Sequence, residues 1–145
     1  MALAATAQAT VFSEVGLVTN DQAAHPAQIT DPNLQNAWGI SYPPTGPFWV
    51  SDNASGVATL YAVNPLTNAT SKQGLTVSIP GAGSVTGQAF NFSAATTTSF
   101  NHDLFMFVSE DGTVSGWRGA LGTAAETLVA GSLANVYKGT ALLAT

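Results

Sequence analysis

Two pairs of oxygen-bearing side chains, Asp52-Asn53 and Glu110-Asp111, are the residues in this sequence best suited to chemistry. Each pair lies where one strand-like run ends and another begins. Calcium is a hard cation that takes about 6–8 oxygen ligands from carboxylates, amides and carbonyls, so both pairs are candidate calcium ligands if their turns converge. Asp and Asn also favour tight turns, because their short side chains cap the local backbone. Turn formation is therefore the alternative explanation for both pairs.

A second oxygen-rich cluster precedes the first predicted inner strand. Asp31, Asn33 and Gln35 have the 1, 3, 5 spacing of a calcium loop, but an EF-hand needs glycine at position 6 and glutamate at position 12. Asn36 and Tyr42 stand there instead. An EF-hand is excluded, and Asp31, Asn33 and Asn36 remain candidate calcium ligands in a lead-in loop.

The chain has two histidines, and both are candidate catalytic bases because the pKa of histidine lies near neutrality. His102 stands beside Asp103 at the start of a predicted strand, and His25 precedes Pro26 in a polar arm. No spacing resembles a zinc site, and there is no cysteine to supply a thiolate ligand. The alternative is that these residues are solvated loop side chains.

Three tryptophans are candidate ligand-binding residues, since an aromatic face suits the apolar face of a sugar ring. In repeated β-units such residues also pack one unit against the next, which is the alternative explanation. The residues are Trp38, Trp49 and Trp117.

Composition narrows the classes of partner. The 145 residues carry 3 basic and 8 acidic side chains, a formal charge of −5, so there is no basic patch for nucleic acid. No segment approaches the ~20 apolar residues of a membrane span. The small-residue N-terminus resembles the end of a secretory signal, which predicts a secreted or periplasmic protein. An ordinary alanine-rich terminus is the alternative.

Alternating apolar residues and turn signals predict an all-β chain with little or no helix. Strands are predicted near 37–42, 47–52, 56–63 and 74–79, then near 86–91, 104–109, 113–118 and 126–130, with a further strand from 137. Gly39, Gly87 and Gly139 recur at intervals of 48 and 52 residues (87 − 39 and 139 − 87). Four-stranded units repeating every ~40–50 residues are typical of propeller blades.

The predicted organisation is therefore a single β-propeller-type domain over residues 1–145, with antiparallel blades. An N-terminal arm and a strand near 11–18 fill 1–36, a first blade 37–82 and a second blade 83–134. A third blade begins in 135–145. The two blades also share a hairpin motif, in which Val50-Ser51-Asp52 is matched with Val108-Ser109-Glu110.

Four longer motifs occur along the chain: Asn36-Ala-Trp-Gly-Ile-Ser, Thr45-Gly-Pro-Phe-Trp-Val-Ser-Asp-Asn, Glu110-Asp-Gly-Thr-Val-Ser-Gly-Trp and Val136-Tyr-Lys-Gly-Thr-Ala. Together they resemble an uncharacterised family of exported bacterial β-propeller proteins, and the blade pattern is similar to NHL-repeat propellers. The resemblance runs from about residue 15 to the C-terminus and implies a six-bladed-type fold, of which this chain holds about two blades plus one strand.

By analogy with gluconolactonase-type propellers, the resemblance implies a secreted, calcium-dependent hydrolase of the lactonase type, acting on a small lactone such as an acyl lactone. There Ca²⁺ would polarise the ring carbonyl as a Lewis acid, and a carboxylate or histidine would activate water. The alternative function is a non-catalytic module that binds a carbohydrate or a partner protein.

Two blades also predict self-association, because closed propellers commonly need ~4–8 blades. Three copies of two blades would make six, so a cyclic homotrimer is the favoured prediction. A dimer with blades packed face to face is the alternative.

Overall fold

The computed structural model describes residues 12–143, and its strands are arranged in three groups. The first is a short parallel pair, β1 (Val18–Thr19) and β2 (Ile29–Thr30). Val11, part of the strand predicted near 11–18, lies outside the described residues, and residues 12–17 form no strand. Of the strand predicted near 11–18, only Val18 is in a strand, and Thr19 completes β1.

Two antiparallel four-stranded sheets follow, each with its strands in chain order. Sheet 1 contains β3 (Ala37–Ser41), β4 (Phe48–Asp52), β5 (Val57–Val63) and β6 (Thr70–Ser78). Sheet 2 contains β7 (Val85–Phe90), β8 (Phe105–Ser109), β9 (Val114–Trp117) and β10 (Glu126–Val129). The all-β prediction is confirmed.

Helical structure within residues 12–143 is limited to two short 3-10 turns, Ser99–His102 and Gly119–Leu121. Over the same residues, no helix is long and apolar enough to cross a membrane.

A shared core joins the two sheets. The indole of Trp49 in β4 stacks on Phe105 of β8, with ring centroids 4.0 Å apart, and lies 4.9 Å from the ring of Trp117. Aromatic side chains bury large apolar areas, so this stack is a main source of the free energy that holds the sheets together. The other buried residues of the core are Ala58, Leu60, Val77, Ile79, Val85 and Phe107.

The recurring glycines mark where successive units touch. A Cβ on Gly39 would lie 2.5 Å from the carbonyl oxygen of Thr86, and one on Gly87 would lie 2.5 Å from the amide nitrogen of Thr140. Only glycine allows backbones to approach this closely. The glycine repeat therefore corresponds to a repeated contact between the first segments of consecutive units.

The segment predicted to begin a third blade forms no strand within residues 131–143. It nevertheless runs beside β7, where the Thr86 hydroxyl donates to the carbonyl of Tyr137 at 2.8 Å. The meander order of each sheet and the face-to-face packing are compatible with propeller blades.

The matching of the two hairpins by their Val-Ser-acid motif is wrong by one residue. Ile40 pairs with Val50 in sheet 1, and Gln88 pairs with Phe107 in sheet 2, each one residue after its unit's glycine. Val50 therefore corresponds to Phe107, whereas the motif matched it with Val108. A slip of one residue moves every side chain of a strand to the opposite face, so this correction decides which residues face the core.

Candidate functional site

The predicted calcium ligands Asn36 and Asn53 meet at one end of the sheets, where β3 begins and the β4–β5 turn lies. The Asn36 side-chain amide donates to the Asn53 side-chain oxygen at 3.0 Å, and the Asn53 amide donates to the carbonyl of Val85 at 3.1 Å. Asn36 adopts a φ of 50°, a left-handed conformation that asparagine tolerates better than most residues. Asn53 thus connects the lead-in loop, sheet 1 and sheet 2.

An ion pair between Lys138 and Glu110 continues this arrangement. The hydrogen bond from Lys138 lowers the pKa of Glu110, and the Asn53 side chain acts in the same direction. The Lys138 ammonium also lies 5.4 Å from the centre of the Trp38 ring, within the range of a cation–π contact. We call Asn36, Trp38, Asn53, Glu110 and Lys138 the Trp38 cluster.

An open groove of about 240 Å³ lies beside Trp38 and Lys138. Three glycines line it, so part of its wall is backbone without a side chain. The residue before each glycine lines it too: Trp38, Thr86 and Lys138. The residues along the groove are Trp38, Gly39, Ile40, Thr86, Gly87, Gln88, Lys138, Gly139 and Thr140.

The three tryptophans occupy different environments. Trp49 and Trp117 are buried in the core between the sheets, where their rings pack against protein. This placement agrees with the packing alternative for both. Trp38 is 44 % exposed, which leaves it as the tryptophan that a ligand can reach.

Asp111 acts as a backbone anchor. One carboxylate oxygen accepts from the amide of Thr113 at 2.9 Å and the other from the amide of Ala82 at 2.7 Å. Burial tends to raise the pKa of Asp111, but these backbone hydrogen bonds outweigh it and lower the pKa. With both oxygens engaged, Asp111 fulfils the turn role that its residue type predicted.

Asp31 was predicted as a calcium ligand in the lead-in loop, but its side chain is buried against sheet 1. Its carboxylate binds the Lys72 ammonium at 2.7 Å and accepts from the Tyr61 hydroxyl, also at 2.7 Å. It also accepts from the amide of Asn33 at 3.0 Å. Burial raises the pKa of Asp31, but hydrogen bonds from Lys72 and Tyr61 outweigh it, and the net pKa is lowered.

Asp52 is the least satisfied of the predicted ligands. It is fully buried, and one carboxylate oxygen accepts from the Thr59 hydroxyl at 2.7 Å. The other oxygen has no partner among the described residues. Burial raises the pKa of Asp52 to about 7, against a weaker effect of the Thr59 hydrogen bond.

The predicted metal ligands are thus distributed over separate environments: the Trp38 cluster, the Asp111 turn and the buried Asp31 and Asp52. Within residues 12–143, no three His, Cys, Asp or Glu side chains lie close enough together to hold a metal ion. The calcium site stays a prediction.

The two predicted catalytic histidines lie on separate loops, and Asp103 follows His102 directly in the β7–β8 connection. His102 follows Phe100 and Asn101 in a left-handed turn, and its Nδ1 lies 3.0 Å from the carbonyl of Ala94. His25 lies in the exposed loop between β1 and β2. No hydrogen bond between the two histidines is found in the described part of the chain.

Asp103 is buried and paired with Arg118 at 2.9 Å, and Arg118 also pairs with Glu126. Burial raises the pKa of Asp103, partly opposed by the hydrogen bond from Arg118. A Cβ on Gly116 would lie 2.0 Å from the second oxygen of Asp103, so glycine is required there. Asp103 therefore joins the loop to β9 and does not contact His102 by a hydrogen bond.

Sequence reasoning missed Lys138 and Arg118. The glycine repeat contained a signal for Lys138, because Lys138 precedes Gly139 as Trp38 precedes Gly39. In the structure both residues line the groove. No comparable pattern marks Arg118, whose pairing depends on the loop that carries Asp103.

Comparisons with known proteins found no matching family model, no matching curated protein and no matching solved structure. The resemblance to exported propeller proteins accordingly stays a prediction from sequence motifs, and function has to be inferred from the geometry.

Proposed function

We propose that this chain is an exported, non-catalytic module that binds a neutral carbohydrate at the Trp38 cluster. The observation that carries the proposal is the exposed Trp38 ring, positioned by Lys138 beside side chains that donate and accept hydrogen bonds. An aromatic ring flanked by such groups suits a ligand with one apolar face and several hydroxyls.

The charges of the cluster favour a neutral ligand. Lys138 and Glu110 are paired with each other, so neither presents an uncompensated charge to the groove. The exposed side chain of Asn36 adds an uncharged amide group, held in place by the buried Asn53. A strongly anionic or cationic ligand would have to break the ion pair, whereas sugar hydroxyls can bind to it intact.

The shape of the groove favours binding over turnover. The groove is open, so a ligand in it stays partly in contact with solvent, whereas catalysis gains from a site that excludes water. A lactonase would need a metal ion to polarise the ring carbonyl. The carboxylate oxygens of Asp31 and Asp111 already accept hydrogen bonds from the protein. They are therefore less available to bind a metal ion, which argues against the lactonase prediction.

The test is a titration with neutral oligosaccharides, in which binding is measured by calorimetry and by tryptophan fluorescence. We expect Trp38→Ala to weaken binding by up to about tenfold, since an aromatic contact contributes about 1.4 kcal/mol at the upper end of its range. Phe92→Ala is the matched control, because Phe92 is an exposed aromatic residue on the β7–β8 loop.

An equal loss of affinity in both variants, or no saturable binding to any oligosaccharide, would contradict the proposal. Calcium-dependent hydrolysis of an acyl lactone by the same preparation would instead support the lactonase prediction.

A further inference from the structure

Residues 137–142 occupy the position of a first strand without being paired as one. Gly39 of β3 packs closely on the backbone of β7, and Gly87 of β7 packs closely on the backbone of Gly139 and Thr140. The 137–142 segment therefore has, in a third unit, the place that β3 has in the first unit and β7 in the second.

The 137–142 segment lacks the partner that its two equivalents have. β3 pairs with β4, and β7 pairs with β8, both antiparallel. In the part of the chain that the structure describes, residues 138–142 take part in no backbone–backbone hydrogen bond. Lys138, Gly139 and Ala141 are exposed, and a Cβ on Gly139 would meet no atom within 4 Å. The peptide groups of the segment are thus open to pairing with another strand.

The segment is held beside β7 at its first two residues. The amide of Tyr137 donates to the carbonyl of Ser109 at 3.4 Å, and the carbonyl of Tyr137 accepts from the Thr86 hydroxyl at 2.8 Å. The Lys138 ammonium pairs with Glu110. Because these contacts already restrain the segment, pairing with it costs less conformational entropy than pairing with a free chain.

We propose that the 137–142 segment accepts an antiparallel β-strand from another polypeptide, as β3 accepts β4 and β7 accepts β8. The unpaired peptide groups select an extended strand, because only such a strand offers donors and acceptors at the matching spacing. Strand addition to an exposed edge is a general mode of peptide recognition, in which backbone hydrogen bonds provide affinity and side chains provide specificity.

The two existing pairs indicate the side chains of the added strand. Ile40 lies opposite Val50, and Gln88 lies opposite Phe107. Thr140 stands one residue after its glycine, as Ile40 and Gln88 do, so it should take an apolar residue opposite it. β4 and β8 both begin with phenylalanine, two residues before this apolar position. The expected strand therefore carries the pattern Phe-x-Val or Phe-x-Phe.

A second copy of this chain is a less suitable donor. Its β4 and β8 are each already paired on both edges. Its edge strands β6 and β10 contain no aromatic residue. Pairing of two 137–142 segments with each other would bring the small residues Gly139, Thr140 and Ala141 together, and so would bury little apolar surface.

A synthetic peptide with the sequence of residues 103–110, which contains β8, is the probe for this edge. Fluorescence anisotropy of the labelled peptide, titrated with the full chain, should show saturable binding. The matched control peptide carries Val108→Pro and Ser109→Pro, which keeps the Phe-x-Phe pattern. It removes two adjacent N–H groups, one of which faces the acceptor edge in either orientation. We expect it to bind up to about tenfold more weakly, since one ladder hydrogen bond is lost.

A proline on the acceptor side makes the reciprocal test. Ala141→Pro should weaken binding of the 103–110 peptide, because its ring blocks pairing along the exposed edge. Leu133→Pro is the matched control and should bind the peptide like the wild type. Leu133 is fully exposed and lies before the segment, and its N–H makes no hydrogen bond to the described residues.

Hydrogen exchange with and without the peptide identifies the edge. We expect added protection in residues 137–142 and none in β6 or β10. No saturable binding, equal binding of the proline peptide, wild-type binding by Ala141→Pro, or protection mainly at β6 or β10 would each overturn the proposal. Protection of residues 137–142 on raising the concentration of the chain alone would also overturn it, since a second copy would then be the occupant. Carbohydrate binding and its Trp38→Ala variant are measured separately, so either proposal can fail without the other.

Discussion

The buried carboxyl group of Asp52 should make the stability of this protein fall as the pH rises. In the folded state Asp52 holds its proton up to a pKa of about 7, because burial disfavours its charged form. In the unfolded chain the same group ionises near the ordinary aspartate pKa of 3.8. Between these two values the folded state binds more protons than the unfolded state.

The sign and size of the effect follow from proton linkage. A folded-state pKa above the unfolded value contributes stability that is complete below pH 4 and is lost as the pH rises to 7. The gap between 3.8 and about 7 corresponds to at most about 4 kcal/mol, at 1.36 kcal/mol per pKa unit. Above pH 7 the carboxylate remains buried, with one oxygen unpartnered among residues 12–143, and the loss of stability levels off.

Asp52→Asn isolates this effect, because it keeps the shape of the side chain and removes its ionisation. Urea unfolding followed by tryptophan fluorescence at several pH values gives the unfolding free energy. We expect the wild type to lose stability between pH 4 and pH 7, and the variant to lose much less. At pH 8 the variant should be the more stable protein.

Asp21→Asn is the control for removing one carboxylate, since Asp21 lies in an exposed turn where it accepts from the amide of Ala23. It should retain the wild-type slope. If Asp52→Asn also retained that slope, Asp52 would not be the group that titrates, and its inferred protonation in the fold would be wrong.

Two further predictions concern the contact between units and the metal. Gly87→Ala should lower the unfolding free energy by about 1–3 kcal/mol, because its Cβ would lie 2.5 Å from the backbone of Thr140. Gly74→Ala is the control and should cost little, since a Cβ there would meet no atom within 4 Å. Thermal melts compare the two variants, and equal losses of stability would contradict the repeated contact. If the chain binds calcium, an ion at ~100 times its dissociation constant should add about 2.7 kcal/mol to the unfolding free energy. An equal melting temperature in chelator and in millimolar calcium would remove that prediction.

The positions of most strands were predictable because they depend on local patterns. Alternating side chains between turn residues located both sheets, and the glycine at 56, with a φ of +66°, suits the tight turn expected there. The largest error in these strands is β6, which begins at Thr70 although its alternation starts only after Gly74. Pairing of Thr70 with Val63 in β5 extends the strand through residues whose own pattern is weak.

Part of the site was predictable in the same way. Asn36, Asn53 and Glu110 were identified by residue type and by their places beside strand ends. Their meeting with Lys138 was not, because those contacts join residues from four segments of the chain. The recurring glycine was the one long-range signal, since it marks where two backbones must approach.

Tertiary structure alone decided which side chains are covered. Trp38, Trp49 and Trp117 look alike as sequence features, yet the core buries two of them and exposes the third. Asp31 and Asp52 both looked like loop ligands, and both are buried. Local alternation shows that two faces exist on each strand, but the register against distant strands selects the one that packs. A shift of one residue reverses that selection, as the motif match of Val50 with Val108 illustrates.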